Sequence, residues 1–318
     1  MRILSLDDTG PEVELLQSTL NRANFRVGII DGIFGSKTEN AVKRFQSING
    51  ITSDGIVGKV TWNLLLPYIN GYYIYTIQPN DTLFSIANNF STSVSNIITA
   101  NPNIDFSTIF PGQRIVVPFG EIVPTNISYT SEVLTLNVRA LKVVYPFLEI
   151  GSIGNSILGD ALPYIRIGRG QKQVFYNSSF HANEWINSVV LMKFIENYSS
   201  AIRSGGTIFG FDARRLFDSV SIYIVPMVNP DGVNLVTGYI TEDSAAFAKA
   251  RRIANNFPNI PFPSGWKANL NGVDLNLQYP AEWESARQIK FAQGFNIPAP
   301  RDYVGLRATY RARSSSCI

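Results

Sequence analysis

The chain has 318 residues, of which 45% are hydrophobic and 16% charged, with a formal net charge of +3 at pH 7. This composition excludes a disordered chain, and the length allows two or three domains. The charge is too small, and Lys and Arg are too scattered, for a nucleic-acid-binding protein. One cysteine excludes an intramolecular disulfide framework, and no apolar run is long enough to span a membrane.

Residues 1–69 contain an internal repeat. The stretches 31–46 and 54–65 each begin with Asp-Gly, two apolar residues and a second Gly. Each continues into a segment with the residue pattern of a helix. We predict a small all-α bundle of three helices, with Ser36 or Thr38 and then Thr61 as helix caps. The segment resembles the peptidoglycan-binding module, which implies binding of cell-wall glycan or stem peptide. The residues alone support only the bundle.

Residues 73–118 predict a compact unit with the order β-α-α-β. A strand at 73–77 precedes helices at 83–90 and near 94–100, and a turn and closing strand follow at 111–118. Its text, "NDTLFSIA", "ITANPNI" and "IFPGQRIVVP", is similar to a LysM module. That resemblance implies a groove for N-acetylglucosamine chains, with these residues on its two lips: Asp81, Thr82, Leu83 and Phe84, then Asn101, Pro102 and Ile109. The alternative is that these residues are only caps and core.

A linker at 119–128 leads into a domain that we place at 126–305. Strand-like text before His181, a helix at 186–198 and a buried strand ending in a turn at 229–232 predict an α/β sheet with helices on both faces. Sites in such sheets collect at the carboxyl ends of strands. The "IGRGQ" stretch lacks the spacing of a phosphate-binding loop.

His181, the only histidine, stands three residues before Glu184 in "FHANEW", so both side chains can converge on one metal ion. An isolated pair of this kind is a weak signal. Taken in order with "VPMVNPDGV" and "WKANLNGVDLNLQYPAEWE", however, the text resembles the zinc carboxypeptidase family. The greatest likeness is to the branch that cleaves the γ-D-glutamyl-diamino acid bond of peptidoglycan peptides. The resemblance implies a metallocarboxypeptidase-like mixed α/β sheet and zinc as the cofactor.

The resemblance also assigns roles to individual residues. His181 and Glu184 match two of the family's three zinc ligands, and Lys267 lies near the position of an arginine that polarises the scissile carbonyl. Asn276 matches an asparagine that holds the substrate's terminal carboxylate. Leu277 stands where carboxypeptidases carry an arginine that clamps this carboxylate, which argues against ordinary C-terminal trimming and favours the endopeptidase branch.

Two elements of the family pattern are absent from the matched text: the third ligand, a histidine, and the glutamate that activates the zinc-bound water. After Gly305 the sequence becomes rich in Arg and Ser and contains the only cysteine, Cys317. We therefore expect a truncated catalytic domain ending near 305 and an aberrant tail at 306–318, produced by a lost reading frame or an interrupted gene. A natural short tail is the alternative.

These features predict a peptidoglycan hydrolase of the zinc metallopeptidase type that is inactive as written, because its zinc site is incomplete. The alternatives are a non-catalytic protein that binds peptidoglycan or N-acetylglucosamine, and a gene remnant without function. The expected partners are the glycan strands and stem peptides of peptidoglycan, with no nucleic acid and no membrane span. We expect a cell-wall, extracellular or spore-associated protein, made without an ordinary signal peptide and released by another route.

Overall fold

The computed structural model describes residues 1–306, so the predicted tail lies, apart from Leu306, outside the described residues. The first unit is a bundle of three helices: α1 (Pro11–Arg22), α2 (Ser36–Ile48) and α3 (Lys59–Asn70). Its core is aliphatic and aromatic, and Leu16, Phe45 and Leu65 are among its buried members. The three-helix prediction is therefore confirmed.

The first Asp-Gly loop is held by a buried glutamine on α1. The Gln17 side-chain amide nitrogen donates to Asp31 Oδ1 at 2.8 Å and to Thr38 Oγ1 at 3.2 Å. The Gln17 carbonyl oxygen accepts from the backbone N–H of Gly32 at 3.0 Å. Because the side chain is 2% exposed, these bonds satisfy polar groups that would otherwise be costly to bury.

The second loop repeats the arrangement with equivalent residues. The Gln46 amide nitrogen donates to Asp54 Oδ1 at 2.9 Å and to Thr61 Oγ1 at 3.2 Å. The predicted threonine caps are therefore wrong, because both hydroxyls are engaged by glutamines. Helices α2 and α3 begin after Gly35 and Gly58 with no side-chain cap.

The second unit has the predicted β-α-α-β order. Its elements are β1 (Tyr72–Thr76), α4 (Leu83–Asn89), α5 (Val94–Ala100) and β2 (Arg114–Pro118). The two strands are antiparallel, with Tyr72 opposite Pro118. Thr82 caps α4 in a reciprocal capping box with Ser85, so for Thr82 the alternative role of a cap is present.

The first and second units are joined without a linker. Helix α3 is followed by Gly71, whose φ of 71° lies in the left-handed region, and β1 starts at the next residue. The backbone N–H groups of Phe119 and Gly120 donate to the Gly71 carbonyl at 2.9 and 3.2 Å. A Cβ on Gly71 would lie 2.8 Å from the Gly120 carbonyl oxygen, so this close approach requires glycine.

The third unit is a mixed α/β domain. Its helices are α6 (Ser131–Val144), α7 (Ile186–Ser204), α8 (Ala213–Ser219), α9 (Pro230–Val236), α10 (Ala245–Ala254) and α11 (Trp283–Ala292). Its strands are β3 (Glu149–Asn155), β4 (Ala161–Ile167), β5 (Lys172–Asn177), the short pair β6 (Thr207–Ile208) and β7 (Phe211–Asp212), and β8 (Val220–Val225).

Four of these strands form a sheet with the order β3-β4-β8-β5. The β5–β8 pair is parallel and the other two pairs are antiparallel, as a mixed sheet requires. Helix α7 continues six residues beyond its predicted end. The expected turn at 229–232 is the start of α9, which Asn229 caps by accepting from the Gly232 N–H at 3.1 Å.

The segment predicted as a linker is packed against the α/β unit. Glu196 of α7 is 6% exposed and accepts from the backbone N–H groups of Ile122 at 2.6 Å and Val123 at 3.4 Å. The Lys193 ammonium donates to the same carboxylate at 2.9 Å. Leu15 of α1 also belongs to the core of the α/β unit, so the bundle is packed onto it.

Within residues 1–306, none of the helices combines the length and apolar character needed to cross a bilayer.

Candidate functional site

The candidate site forms where three loops meet at the carboxyl end of β5. After β5, His181 precedes a single 3₁₀ turn, Ala182–Glu184, whose first N–H donates to the Lys267 carbonyl at 3.1 Å. The buried Asn229 side chain donates to the carbonyls of Phe180 at 3.1 Å and Ala268 at 2.9 Å. One asparagine therefore binds the histidine loop to the loop that carries Lys267.

His181 lies between two carboxylates. Its Nδ1 is 3.0 Å from Glu184 Oε1, and its Nε2 is 3.3 Å from Asp274 Oδ1. The Lys267 ammonium lies 3.4 Å from the same Glu184 oxygen. The hydrogen bond to Asp274 is the main reason that the pKa of His181 is raised above its ordinary value, and Glu184 adds to the effect.

Asp274 is a site residue that the sequence reasoning missed. It is 3% exposed, and its carboxylate also accepts from the backbone N–H groups of Asn276 at 3.2 Å and Asp302 at 3.1 Å. These bonds hold the carboxylate in place, and it in turn orients the imidazole so that Nδ1 points to Glu184. The available signal was its position, two residues before Asn276 in "VDLNLQ".

The site opens into a cleft of about 440 Å³. Residues of β5, the histidine loop, α7 and one later loop line it: Tyr176, Asn177, Ser178, Ser179, Phe180, His181, Glu184, Asn187, Val190, Leu191 and Asn276. The exposed Asn276 therefore lines the same cleft as His181 and Glu184. Leu277 is half-buried and does not line the cleft.

The predicted glycan-binding residues lie in the second unit. Phe84 is 70% exposed, and Thr82 and Pro102 are exposed as well. The Asn101 side chain is turned inward, where it donates to the Val116 carbonyl at 2.8 Å and accepts from the Val116 N–H at 2.8 Å.

The remaining predicted residues of this groove are less exposed. Leu83 and Ile109 are half-buried and pack against the core of the second unit, and Asp81 accepts from the Tyr75 hydroxyl at 2.8 Å. Phe110, which the sequence reasoning did not select, is 59% exposed beside Ile109. This surface therefore combines structural residues with exposed aromatic side chains.

The described side chains around His181 do not form the donor set that a protein zinc site requires. His181 Nδ1 and Glu184 Oε1 are near enough to bind one ion together, but Asp274 lies on the opposite edge of the imidazole ring. Among residues 1–306 there is no group of three His, Cys, Asp or Glu side chains that could hold a metal. Protein zinc sites use at least three such ligands, so the described part of the chain does not supply a complete zinc site.

The single histidine provides a direct test of this geometry. In metal-free protein we expect an NMR titration of the His181 ring to give a pKa above 6.5, and we expect Asp274→Asn to lower it by removing the main cause. A raised folded-state pKa stabilises the fold fully below about pH 6.5 and loses that contribution as the pH rises through the folded value. The free energy of unfolding of the wild type should therefore fall as the pH rises through this range. In Asp274→Asn that fall should be smaller.

The exposed Asp243→Asn serves as the control and should leave the titration unchanged. Equal His181 pKa values in wild type and Asp274→Asn would contradict the arrangement.

Sequence comparisons place these units in known families. The model for "Putative peptidoglycan binding domain" matches residues 9–65, that for "LysM domain" residues 75–118, and that for "Zinc carboxypeptidase" residues 138–311. Together they define a multidomain protein in which two accessory modules precede a carboxypeptidase-like α/β unit, and they confirm the predicted fold class. Because the last match covers more than half of it, the chain belongs to the zinc carboxypeptidase family.

Two curated relatives share this region. The chain is 43% identical over 178 residues to "Gamma-D-glutamyl-L-diamino acid endopeptidase 1" of Lysinibacillus sphaericus, covering 56% of this chain and 43% of that protein. It is 36% identical over 180 residues to an uncharacterized protein of Bacillus subtilis, covering 56% and 46%. The chain thus spans less than half the length of these relatives.

Among solved structures, bovine thrombin-activatable fibrinolysis inhibitor in complex with tick carboxypeptidase inhibitor gives a TM-score of 0.35 at 17% identity. The match covers 48% of this chain and 44% of the chain in that structure.

Proposed function

We propose that this protein is a cell-wall peptidoglycan hydrolase of the zinc metallopeptidase type, directed at the γ-D-glutamyl-diamino acid bond of stem peptides. The observation that carries the proposal is the meeting of His181, Glu184 and Asn276 in one cleft, with the Lys267 ammonium beside Glu184, in a chain that also carries two modules of wall-binding families. The name of the Lysinibacillus relative supports this choice of bond. Its place of action would be the cell wall, outside the cell or on the spore.

In this proposal the side chains of the cleft bind and polarise the substrate. The Lys267 ammonium, held beside Glu184, would stabilise negative charge developing on the scissile carbonyl. It acts as a point charge, since Lys lacks the planar fork of Arg. Asn276 would hydrogen-bond a substrate carboxylate, and Leu277 cannot form the two-pronged clamp that favours a free C-terminus.

We further propose that the 318-residue chain alone is a poor catalyst. Its described residues bring together two metal donors, His181 and Glu184, where zinc needs at least three. Within the same described residues, no carboxylate apart from Glu184 lines the cleft, so they offer no separate general base there. This favours the second candidate function, a protein that binds peptidoglycan without cleaving it.

Glycan binding would fall to the LysM surface. The proposed contacts are the residues identified from sequence: Asp81, Thr82, Leu83, Phe84, Asn101, Pro102 and Ile109. Phe84 has the most exposed apolar side chain among them, which suits stacking against a sugar ring. The buried side chain of Asn101 would instead shape the groove from within.

One pair of assays tests both parts. The purified chain is expected to sediment with insoluble peptidoglycan, and Phe84→Ala should weaken this binding by about tenfold, a change of about 1.4 kcal/mol. The matched control is Phe209→Ala, an 84% exposed aromatic in the α/β unit. Protein that stays in the supernatant would contradict wall binding.

The second assay incubates the chain with muropeptides and zinc, beside the Lysinibacillus relative. We expect the relative to release diamino acid fragments and the chain to release none. Fragment release by the chain at a comparable rate would show that it supplies a complete catalytic site.

A further inference from the structure

The two repeats of the helical bundle can be aligned through their glutamines. Gln17 and Gln46 hold their Asp-Gly loops with equivalent hydrogen bonds, and 29 residues separate them in the sequence. The same separation places Arg44 of α2 at the position that Leu15 has on α1. A difference in burial between such equivalent residues therefore reflects a difference in what each repeat contacts.

The outer face of the first repeat is covered by the α/β unit. Leu15 is 4% exposed and belongs to the core of that unit. The preceding residue, Glu14, accepts from the Ser128 N–H at 2.5 Å, and the Ser18 hydroxyl donates to the Asn126 side-chain oxygen at 3.4 Å. This face of the bundle is thus an interaction surface, and the chain itself occupies it.

The equivalent face of the second repeat is open. Arg44 is exposed at the position where Leu15 is buried. Ile48 is 76% exposed, whereas its equivalent on α1, Thr19, is 1% exposed. Because Arg44 and Ile48 are four residues apart on one helix, their side chains lie on the same face. Helix α2 therefore presents a cation and an apolar side chain where α1 is docked.

A second cation lies beside Arg44. The Arg44 guanidinium donates to the Arg26 carbonyl at 3.4 Å, and both arginines are exposed. Within residues 1–306 neither guanidinium forms an ion pair. The carboxylates of the second repeat already have partners, since Glu39 pairs with Lys43 at 2.8 Å and Asp54 accepts from a side-chain amide at 2.9 Å. The two arginines are therefore available to an anionic ligand.

We propose that Arg26, Arg44 and Ile48 form a peptide-binding face for the stem peptides of peptidoglycan. The proposal rests on the wall-directed function proposed above. A γ-linked glutamate keeps its α-carboxylate free, and a guanidinium binds a carboxylate through two parallel hydrogen bonds. The exposed side chain of Ile48 would pack against the methyl groups of the peptide.

The charge of this face favours peptide over glycan as its ligand. Chains of N-acetylglucosamine carry no charge, and sugar rings stack against aromatic side chains. The exposed aromatic residues Phe84 and Phe110 belong to the LysM unit, whereas the peptide-binding face consists of two guanidinium groups and an isoleucine. The two modules would therefore bind different parts of the wall polymer: the LysM unit its glycan and the bundle its peptide.

Residue-resolved NMR of the full chain tests the proposal, with the soluble tripeptide L-Ala-γ-D-Glu-diaminopimelate as the probe. We expect saturable shifts of the α2 amides from residue 43 to 48 and none in the docked stretch 14–18 of α1. Arg44→Gln should weaken the affinity measured at α2 about tenfold. Arg44→Lys should lie between the two, because it keeps the charge without the planar fork.

Two controls separate this face from other surfaces. Arg252→Gln removes an exposed arginine from α10 in the α/β unit and should leave the affinity at α2 unchanged. A soluble N-acetylglucosamine oligomer should shift amides around Phe84 and leave those of α2 in place. Thermal unfolding confirms that each variant is folded.

The absence of shifts in α2, equal effects of Arg44→Gln and Arg252→Gln, or shifts of α2 with the glycan oligomer alone would overturn the proposal. Sedimentation with insoluble peptidoglycan is measured separately and can persist through the LysM unit. Its persistence without peptide binding at α2 would remove this inference and leave the proposed wall binding intact.

Discussion

Adding one methyl group at Gly170 is expected to destabilise the α/β unit by about 3 kcal/mol or more, beyond the usual cost of overpacking. A Cβ at this position would lie 1.9 Å from the Ser219 carbonyl carbon and 2.2 Å from the Val220 nitrogen. Both are backbone atoms at the start of β8, so they cannot move aside as a flexible side chain would. The variant is Gly170→Ala.

The close approach follows from the strand order. Strand β8 lies between β4 and β5, so the loop from β4 to β5 must cross the beginning of β8. Gly168 makes a similar crossing with a φ of 106°, and its Cβ would lie 1.9 Å from the Val220 carbonyl oxygen. The glycines of "IGRGQ" therefore serve the sheet topology.

The measurement is denaturant unfolding combined with hydrogen exchange of the β8 amides. Gly206→Ala is the matched control in the same unit, because the nearest atom to an added Cβ there is the flexible Ser204 Oγ at 3.2 Å. If Gly170→Ala and Gly206→Ala unfold at the same denaturant concentration, the loop from β4 to β5 does not approach the backbone at the start of β8 as closely as the structure indicates.

Replacing Glu196 with alanine is expected to cost about 3–5 kcal/mol, the range for breaking a buried ion pair by removing one partner. The change leaves the N–H groups of Ile122 and Val123 buried without their acceptor and removes the ion-pair partner that Lys193 has on α7. It also removes a negative charge near Arg22, whose pKa is lowered mainly by burial and is raised in part by Glu196.

Hydrogen exchange at Ile122 and Val123 should accelerate together with the loss of stability. Glu196→Gln keeps one acceptor oxygen and should lie between wild type and alanine. Lys193→Ala is the control, because its ammonium is partly exposed and its loss leaves the backbone acceptor in place. Unchanged exchange in Glu196→Ala would show that the carboxylate does not hold the linker.

Local patterns predicted the helices and strands well, because periodicity and capping depend on neighbouring residues. The capping of α4 by Thr82 is one such case. The threonine caps of the bundle failed because a glutamine from another helix competes for each hydroxyl. The hydrogen bonds that hold the segment predicted as a linker could not be predicted either, since Glu196 and Ile122 are 74 residues apart.

The candidate site likewise contains a local contact that the sequence could predict and a long-range contact that it could not. His181 and Glu184 share one turn, so their contact could be expected from spacing alone. Asp274 is 93 residues from His181, and only the folding of the later loop around Asn229 brings them together. Lys267 was selected by resemblance and does reach Glu184.

The junction at Gly71 has a mechanical consequence. Helix α3 passes directly into β1, and Phe119 and Gly120 bond back to the same glycine, so the chain enters and leaves the second unit at one point. Tension applied to the helical bundle would reach both ends of the neighbouring unit at once. Because no flexible linker separates the two units at this junction, a force on one would act directly on the other.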